Sequence, residues 1–165
     1  MKNILVPIGI SPNGKSTLAY AVELAKHFKA SLFVIDSYNA ASIPAQISSA
    51  KEVINSRNFK RVKELVKSVQ MDSVDIKMVN YKGDLITGIE SLDKKIGLDL
   101  IVVGPKSNDI NEKLFLGKVS GKIIKKTSIP VLLVPIDYEF SIPKQGLFAF
   151  KKGKIKGERS LAPLK

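Results

Sequence analysis

Gly9-Ile10-Ser11-Pro12-Asn13-Gly14-Lys15-Ser16 fits the pattern G-x-x-x-x-G-K-[ST], in which a loop wraps backbone N–H groups around a phosphate. In that chemistry Lys15 neutralises phosphate charge and Ser16 holds a magnesium ion. Asp36, closing an apolar run, could serve as a second metal carboxylate. Two observations weigh against a phosphoryl-transfer enzyme. Pro12 removes one donor from the loop, and no residue is assignable to orienting water or stabilising transferred phosphoryl charge. Chance alone produces such a match in roughly one chain of this length per hundred or two.

A second glycine-bearing segment competes for the same role. The apolar run 100–103 ends at Gly104-Pro105-Lys106-Ser107, and Gly117-Lys118-Val119-Ser120 follows. The remaining candidates read more simply. His27 lacks a neighbouring ligand pattern and is expected on the surface. Asp36 is expected to contact its own loop rather than a metal. Lys106 and Lys118 are expected to be solvated unless a phosphate is present. The chain has no cysteine, which excludes disulfides, thiolate catalysis and Cys-based metal sites. No metal site and no catalytic residue is predicted.

The elements that must position these groups follow from periodicity. Residues 3–8 and 31–36 are continuous apolar runs, as expected of strands buried on both faces. Leu18, Ala21, Val22, Ala25 and Phe28 fall at helical spacing between them. A long helix is expected up to about Gln70, with its periodic half at Val62, Leu65, Val66 and Val69. Residues 74–81 form a less apolar strand, placed nearer an edge. Leu85, Ile89, Leu92 and Ile96 mark a helix stopped by Gly97. Residues 100–103 are a fourth strand, 117–127 a helix, and 130–135 a proline-bounded fifth strand. This alternation implies an α/β protein with a parallel sheet covered on both faces. Ligands bind such sheets beyond the carboxyl ends of the strands, where strand order reverses. The loops after the first and fourth strands are therefore the informative ones.

Across residues 2–136 the chain resembles the universal stress protein family. The resemblance is carried by the Lys2–Pro7 strand, the helix Leu18-Ala19-Tyr20-Ala21-Val22-Glu23-Leu24-Ala25-Lys26 and Gly83-Asp84. It continues through Gly104 with Gly117 at the spacing of G-x-x-G-x9-G-[ST], and through Pro130-Val131-Leu132-Leu133-Val134. It implies an open five-stranded parallel sheet in the order 3-2-1-4-5, of the adenine-nucleotide alpha hydrolase-like type. It further implies a homodimer formed through the last strand, ATP as the possible ligand, and no shared catalytic machinery. The implied nucleotide site comprises Pro7, Ile8, Gly9, Ser37, Gly104, Ser107, Gly117, Lys118, Val119 and Ser120.

Four positions depart from the family pattern. Ser107 replaces the middle glycine and adds a Cβ where backbone should approach phosphate. Lys118 replaces a Ser or Thr, keeping charge but losing the hydroxyl. Gly9 stands where an Asp is common, and Ser37 where a small apolar residue touches adenine. The expectation is a regulatory or binding domain of the stress response with a degenerate ATP site, weak or lost. The alternative is a P-loop phosphohydrolase or kinase using Gly14, Lys15 and Ser16.

The net charge is +12, and residues 144–165 hold half of the excess. Aromatic residues are not interleaved with that run as stacking platforms require, so nucleic-acid binding is not expected. The N-terminal apolar run is too short for a signal peptide or a membrane span, so the expected location is the cytoplasm. Residues 1–137 are read as the domain and 138–165 as a basic segment. Lys144 to Phe150 faintly repeats the first strand, so the segment reads either as the start of a truncated second repeat or as an ordinary basic tail. Residues 146–150 are expected to dock on a sheet edge.

Overall fold

The computed structural model describes residues 1–8, 13–38, 48–105, 117–142 and 144. Five strands alternate with four helices: β1 Asn3–Pro7, α1 Gly14–Phe28, β2 Ser31–Tyr38, α2 Ser48–Val69, β3 Ile76–Lys82, α3 Leu85–Ile96, β4 Leu100–Val103, α4 Lys118–Lys126 and β5 Val131–Leu133. All pairings are parallel, in the order β3-β2-β1-β4-β5, as expected. β3 is an edge strand with no fully buried residue, whereas the four residues of β4 are all buried. That contrast follows the apolar content of the two segments.

Element limits differ from expectation for local reasons. β2 runs two residues further, because β3 continues to pair with it as far as Tyr38 opposite Lys82. β3 begins at Ile76, since the Val74 amide is used in a turn to the Met71 carbonyl, 3.1 Å away. β5 is short because Pro130 and Pro135 cannot donate to the ladder. α1 ends at Phe28, where Lys29 takes a left-handed conformation (φ 51°) and its N–H caps the Ala25 and Lys26 carbonyls.

The sheet is covered on both faces. On one, Leu18, Val22 and Ala25 of α1 and Val62 and Val66 of α2 pack over Ile4, Val6, Leu32 and Val34. On the other, Ile86 and Ile89 of α3 and Ile123 of α4 pack over Leu5, Phe33, Ile35 and Ile101. Each fully buried Leu or Ile contributes about 1.5–3 kcal/mol relative to exposure.

Asn3 ties the start of β1 to a segment more than ninety residues away in sequence. Its side-chain amide donates to the Ile96 carbonyl at 2.8 Å and the Gly97 carbonyl at 3.0 Å. Its backbone N–H donates to Asp99 Oδ2 at 2.9 Å. Thus the start of β1 is fastened to the turn between α3 and β4.

Beyond β5 the chain turns back onto α1. Asp137 has a positive φ of 54°, and its N–H donates to Ser16 Oγ at 3.1 Å. Phe140 meets Tyr20 edge-on at 5.3 Å between ring centroids and joins the core on the α1 face. The expected docking of residues 146–150, and the start of a second repeat, lie outside the described residues. No described helix is long and apolar enough to cross a membrane.

Candidate functional site

β1 and β4 are neighbours at the centre of the sheet, yet the chain leaves them for opposite faces: to α1 after β1 and to α4 after β4. The carboxyl ends of these strands must therefore part around a crevice. A cleft of about 420 Å³ occupies that place, within the range of small-molecule sites. Its floor is Pro7, Ile8 and Val103, one wall is the first turn of α1 (Asn13, Gly14, Thr17), and the other is the first turn of α4 (Gly117 to Ser120).

The α4 wall is built to face an anion. Gly117 caps the helix without any side-chain hydrogen bond, and the first turn holds no acidic residue. The first-turn N–H groups, which have no intrahelical acceptor, and the helix dipole together make that end positive. Lys118, exposed at the first helical position, adds a full charge. The helix is held in place by Ser120, whose buried hydroxyl donates to the Gly104 carbonyl at 2.8 Å.

Gly104 is set by its neighbour on the other wall. A Cβ there would stand 2.1 Å from Thr17 Oγ1. Thr17 is buried and donates from Oγ1 to the Asn13 carbonyl at 3.2 Å. The absence of a side chain at Gly104 thus lets α1 seat against the end of β4.

A smaller depression adjoins the cleft across Lys118 and Val119, and it contains Ser37, Gly83, Asp84 and Lys122. Asp84 caps α3 by accepting from the Ile86 N–H at 2.9 Å. The Lys122 ammonium, 2.5 Å away, and then the Ile86 amide hold its carboxyl below the usual range.

The sequence-predicted residues therefore divide. Pro7, Ile8, Gly104, Gly117, Lys118, Val119 and Ser120 line one cleft, and Ser37 lies in the adjoining depression. Gly9, Ser107 and Lys106 are outside the described residues. Of the alternative phosphate loop, Gly14 faces the cleft, but Lys15 and Ser16 do not line it. Helical geometry explains the split: Asn13, Gly14 and Thr17 share one side of α1, while Ser16, Ala19 and Tyr20 share another. The Ser16 hydroxyl is engaged by the Asp137 amide instead. Asp36 is 9% exposed, and burial raises its pKa against the opposing hydrogen bond from the Ser37 N–H. Among the described residues no group of three His, Asp or Glu gathers as a metal site. His27 is exposed, with its ring edge-on to Phe28.

Sequence reasoning missed Asn13 and Thr17 as wall residues. The signal was available, since Thr17 follows Gly14 at helical spacing.

A model of the universal stress protein family matches residues 1–135. The chain is 27% identical over 138 residues to a universal stress protein of Methanocaldococcus jannaschii, covering 81% of each. Among solved structures it is similar to the universal stress protein UspA from Lactobacillus plantarum, with TM-score 0.68 and 18% identity, over 81% of this chain and 97% of that one. A universal stress protein solved in complex with cAMP gives TM-score 0.59 at 17% identity, over 81% and 96%. One from Archaeoglobus fulgidus in complex with dAMP gives 0.56 at 14%, over 81% and 97%. At these identities the structural likeness is one of fold.

Proposed function

Because this chain belongs to the universal stress protein family, we propose that it is a binding and regulatory protein whose cleft between β1 and β4 takes an adenine nucleotide. The observation that carries the reading is the uncapped start of α4, with Lys118 at its first position, facing a cleft of nucleotide-compatible volume. The phosphate belongs at the amides of 118–120, beside Lys118. The sugar and base belong against the apolar surface of Pro7, Ile8 and Val119. Relatives of the same fold were solved with cAMP and dAMP, which supports a nucleotide of this size.

The site is a degenerate one. Lys118 supplies a point charge where a hydroxyl would direct a hydrogen bond, and Gly9 brings no carboxylate to the base or ribose. Affinity for ATP is accordingly weaker than a complete motif would give. The reading is of binding rather than catalysis: the described lining contains no His, Asp or Glu to serve as a general base. The protein acts as a homodimer joined at β5, the terminal strand of the sheet, where Leu133 is 37% exposed.

Isothermal titration with ATP and magnesium, and with cAMP and AMP, tests the site. Saturable binding that Gly117→Arg and Lys118→Glu abolish, and Lys15→Ala spares, is the expected result. Binding lost on Lys15→Ala but kept in Gly117→Arg would transfer the site to the first loop and overturn the reading.

A further inference from the structure

The smaller depression beside the cleft, of about 300 Å³, contains two ammonium groups of one helix. Lys118 and Lys122 stand four residues apart on α4, so they are neighbours on its surface, about 6 Å apart along the axis. Lys118 borders both the cleft and the depression, whereas Lys122 borders the depression but not the cleft. We propose that Lys122 is a specificity-determining residue of the nucleotide site: it exchanges Asp84 for the outer phosphates of a nucleoside di- or triphosphate, and so favours these over monophosphates. This rests on the reading of the cleft as a nucleotide site.

The path follows from the shape of the site. A phosphate at the first-turn amides of α4 sits beside Lys118, at the border between cleft and depression. A monophosphate ends there. Further phosphates have one turn of helix to follow, and the next cation on it is Lys122. α4 carries four lysines and no acidic residue, so its own charge draws an anion along that turn.

Lys122 is held in reserve. Its Nζ donates to Asp84 Oδ2 at 2.5 Å, with both side chains about half exposed. Ion pairs so open to water are weak, and a terminal phosphate offers more negative charge than a carboxylate. Asp84 does not depend on the lysine alone. Its Oδ1 accepts from the Ile86 N–H at 2.9 Å as the N-cap of α3, where the helix dipole favours an anion. Lys122 first, and that amide second, hold its carboxyl below the usual range. The exchange therefore leaves behind a carboxylate that still has a partner. Asp84 acts as an internal competitor that the incoming phosphates displace.

Isothermal titration of the full chain with AMP, ADP and ATP, each with magnesium, tests this in the wild type, Lys122→Gln and Asp84→Asn. Asn keeps the cap through its side-chain oxygen but releases the lysine. The ratio of ATP to AMP affinity should fall by roughly tenfold in Lys122→Gln and rise several-fold in Asp84→Asn, with ADP following ATP. Opposite signs separate this role from a structural one, since a loosened contact between α3 and α4 would weaken every nucleotide alike in both variants. An unchanged ratio in Lys122→Gln, or a fall in Asp84→Asn, overturns the inference, while AMP binding leaves the cleft reading standing. Binding of none of the three to the wild type overturns both.

Discussion

Gly104 and Thr17 are in contact across the floor of the cleft, so close that a Cβ on the glycine would stand 2.1 Å from the threonine Oγ1. The first glycine of the phosphate-binding pattern is therefore fixed by helix packing before any ligand is considered. Thr17 is buried and tied to the Asn13 carbonyl, so it has little room to yield.

Gly104→Ala should consequently destabilise the fold by about 1–3 kcal/mol, the usual cost of overpacking. Adding Thr17→Ala should return most of that loss relative to Thr17→Ala alone, because Oγ1 and the methyl are then gone. Urea unfolding of the four proteins in the cycle measures it. Strict additivity would show that the two side chains do not compete for the same space.

Ser16 and Lys15 separate a phosphate loop from a structural role. Ser16→Ala removes the acceptor for the Asp137 amide and should cost about 1 kcal/mol. It should also speed proteolysis after residue 135, with nucleotide affinity unchanged. Lys15→Ala should alter neither stability nor nucleotide affinity. A fall in magnesium-dependent nucleotide binding in either variant would contradict the assignment.

Asp36 should give the protein a recognisable pH signature. Burial disfavours its carboxylate, so the folded chain holds the proton to a higher pH than the unfolded chain does. Its contribution is fully present below the unfolded value of about 4 and is lost as pH rises through the raised folded value. Asp36→Asn cannot ionise, so it should melt higher than wild type at pH 7, and the difference should close on acidification. Thermal melts from pH 3 to 8 decide it (roughly the range either side of the titration); a gap that widens in acid would reverse the sign.

Leu133 offers a test of assembly. If subunits pair along β5, Leu133→Asp buries a charge in the new interface and should yield a monomer with unchanged circular dichroism. Sedimentation velocity distinguishes the two states. A dimer that persists in the variant would place the interface elsewhere.

The elements and their order were largely legible, because buried strands and amphipathic helices differ in period. The low apolar content of residues 74–81 placed the third strand at an edge, where β3 lies. Strand order came through the family resemblance, since periodicity does not encode lateral neighbours. The cleft was legible at Pro7, Gly104 and Gly117, which end or begin elements at the switch point. The contacts of Tyr20 with Tyr138 and Phe140 were not legible. They join positions far apart in sequence, and neither 3.6-residue nor two-residue periodicity carries that pairing.

The fastening of Asn3 to Ile96, Gly97 and Asp99 bears on how the chain is made. β1 leaves the ribosome before the other four strands and lies at the middle of the finished sheet, with β4 as one of its two partners. Until residues 100–103 have been made, that flank of β1 is an apolar strand edge without its native partner. Its closure waits on a distant segment, which makes assembly of the sheet a late and comparatively slow event. The nascent protein is thus most prone to aggregation just before the fourth strand emerges, and a chain halted there is the one on which a chaperone should be found.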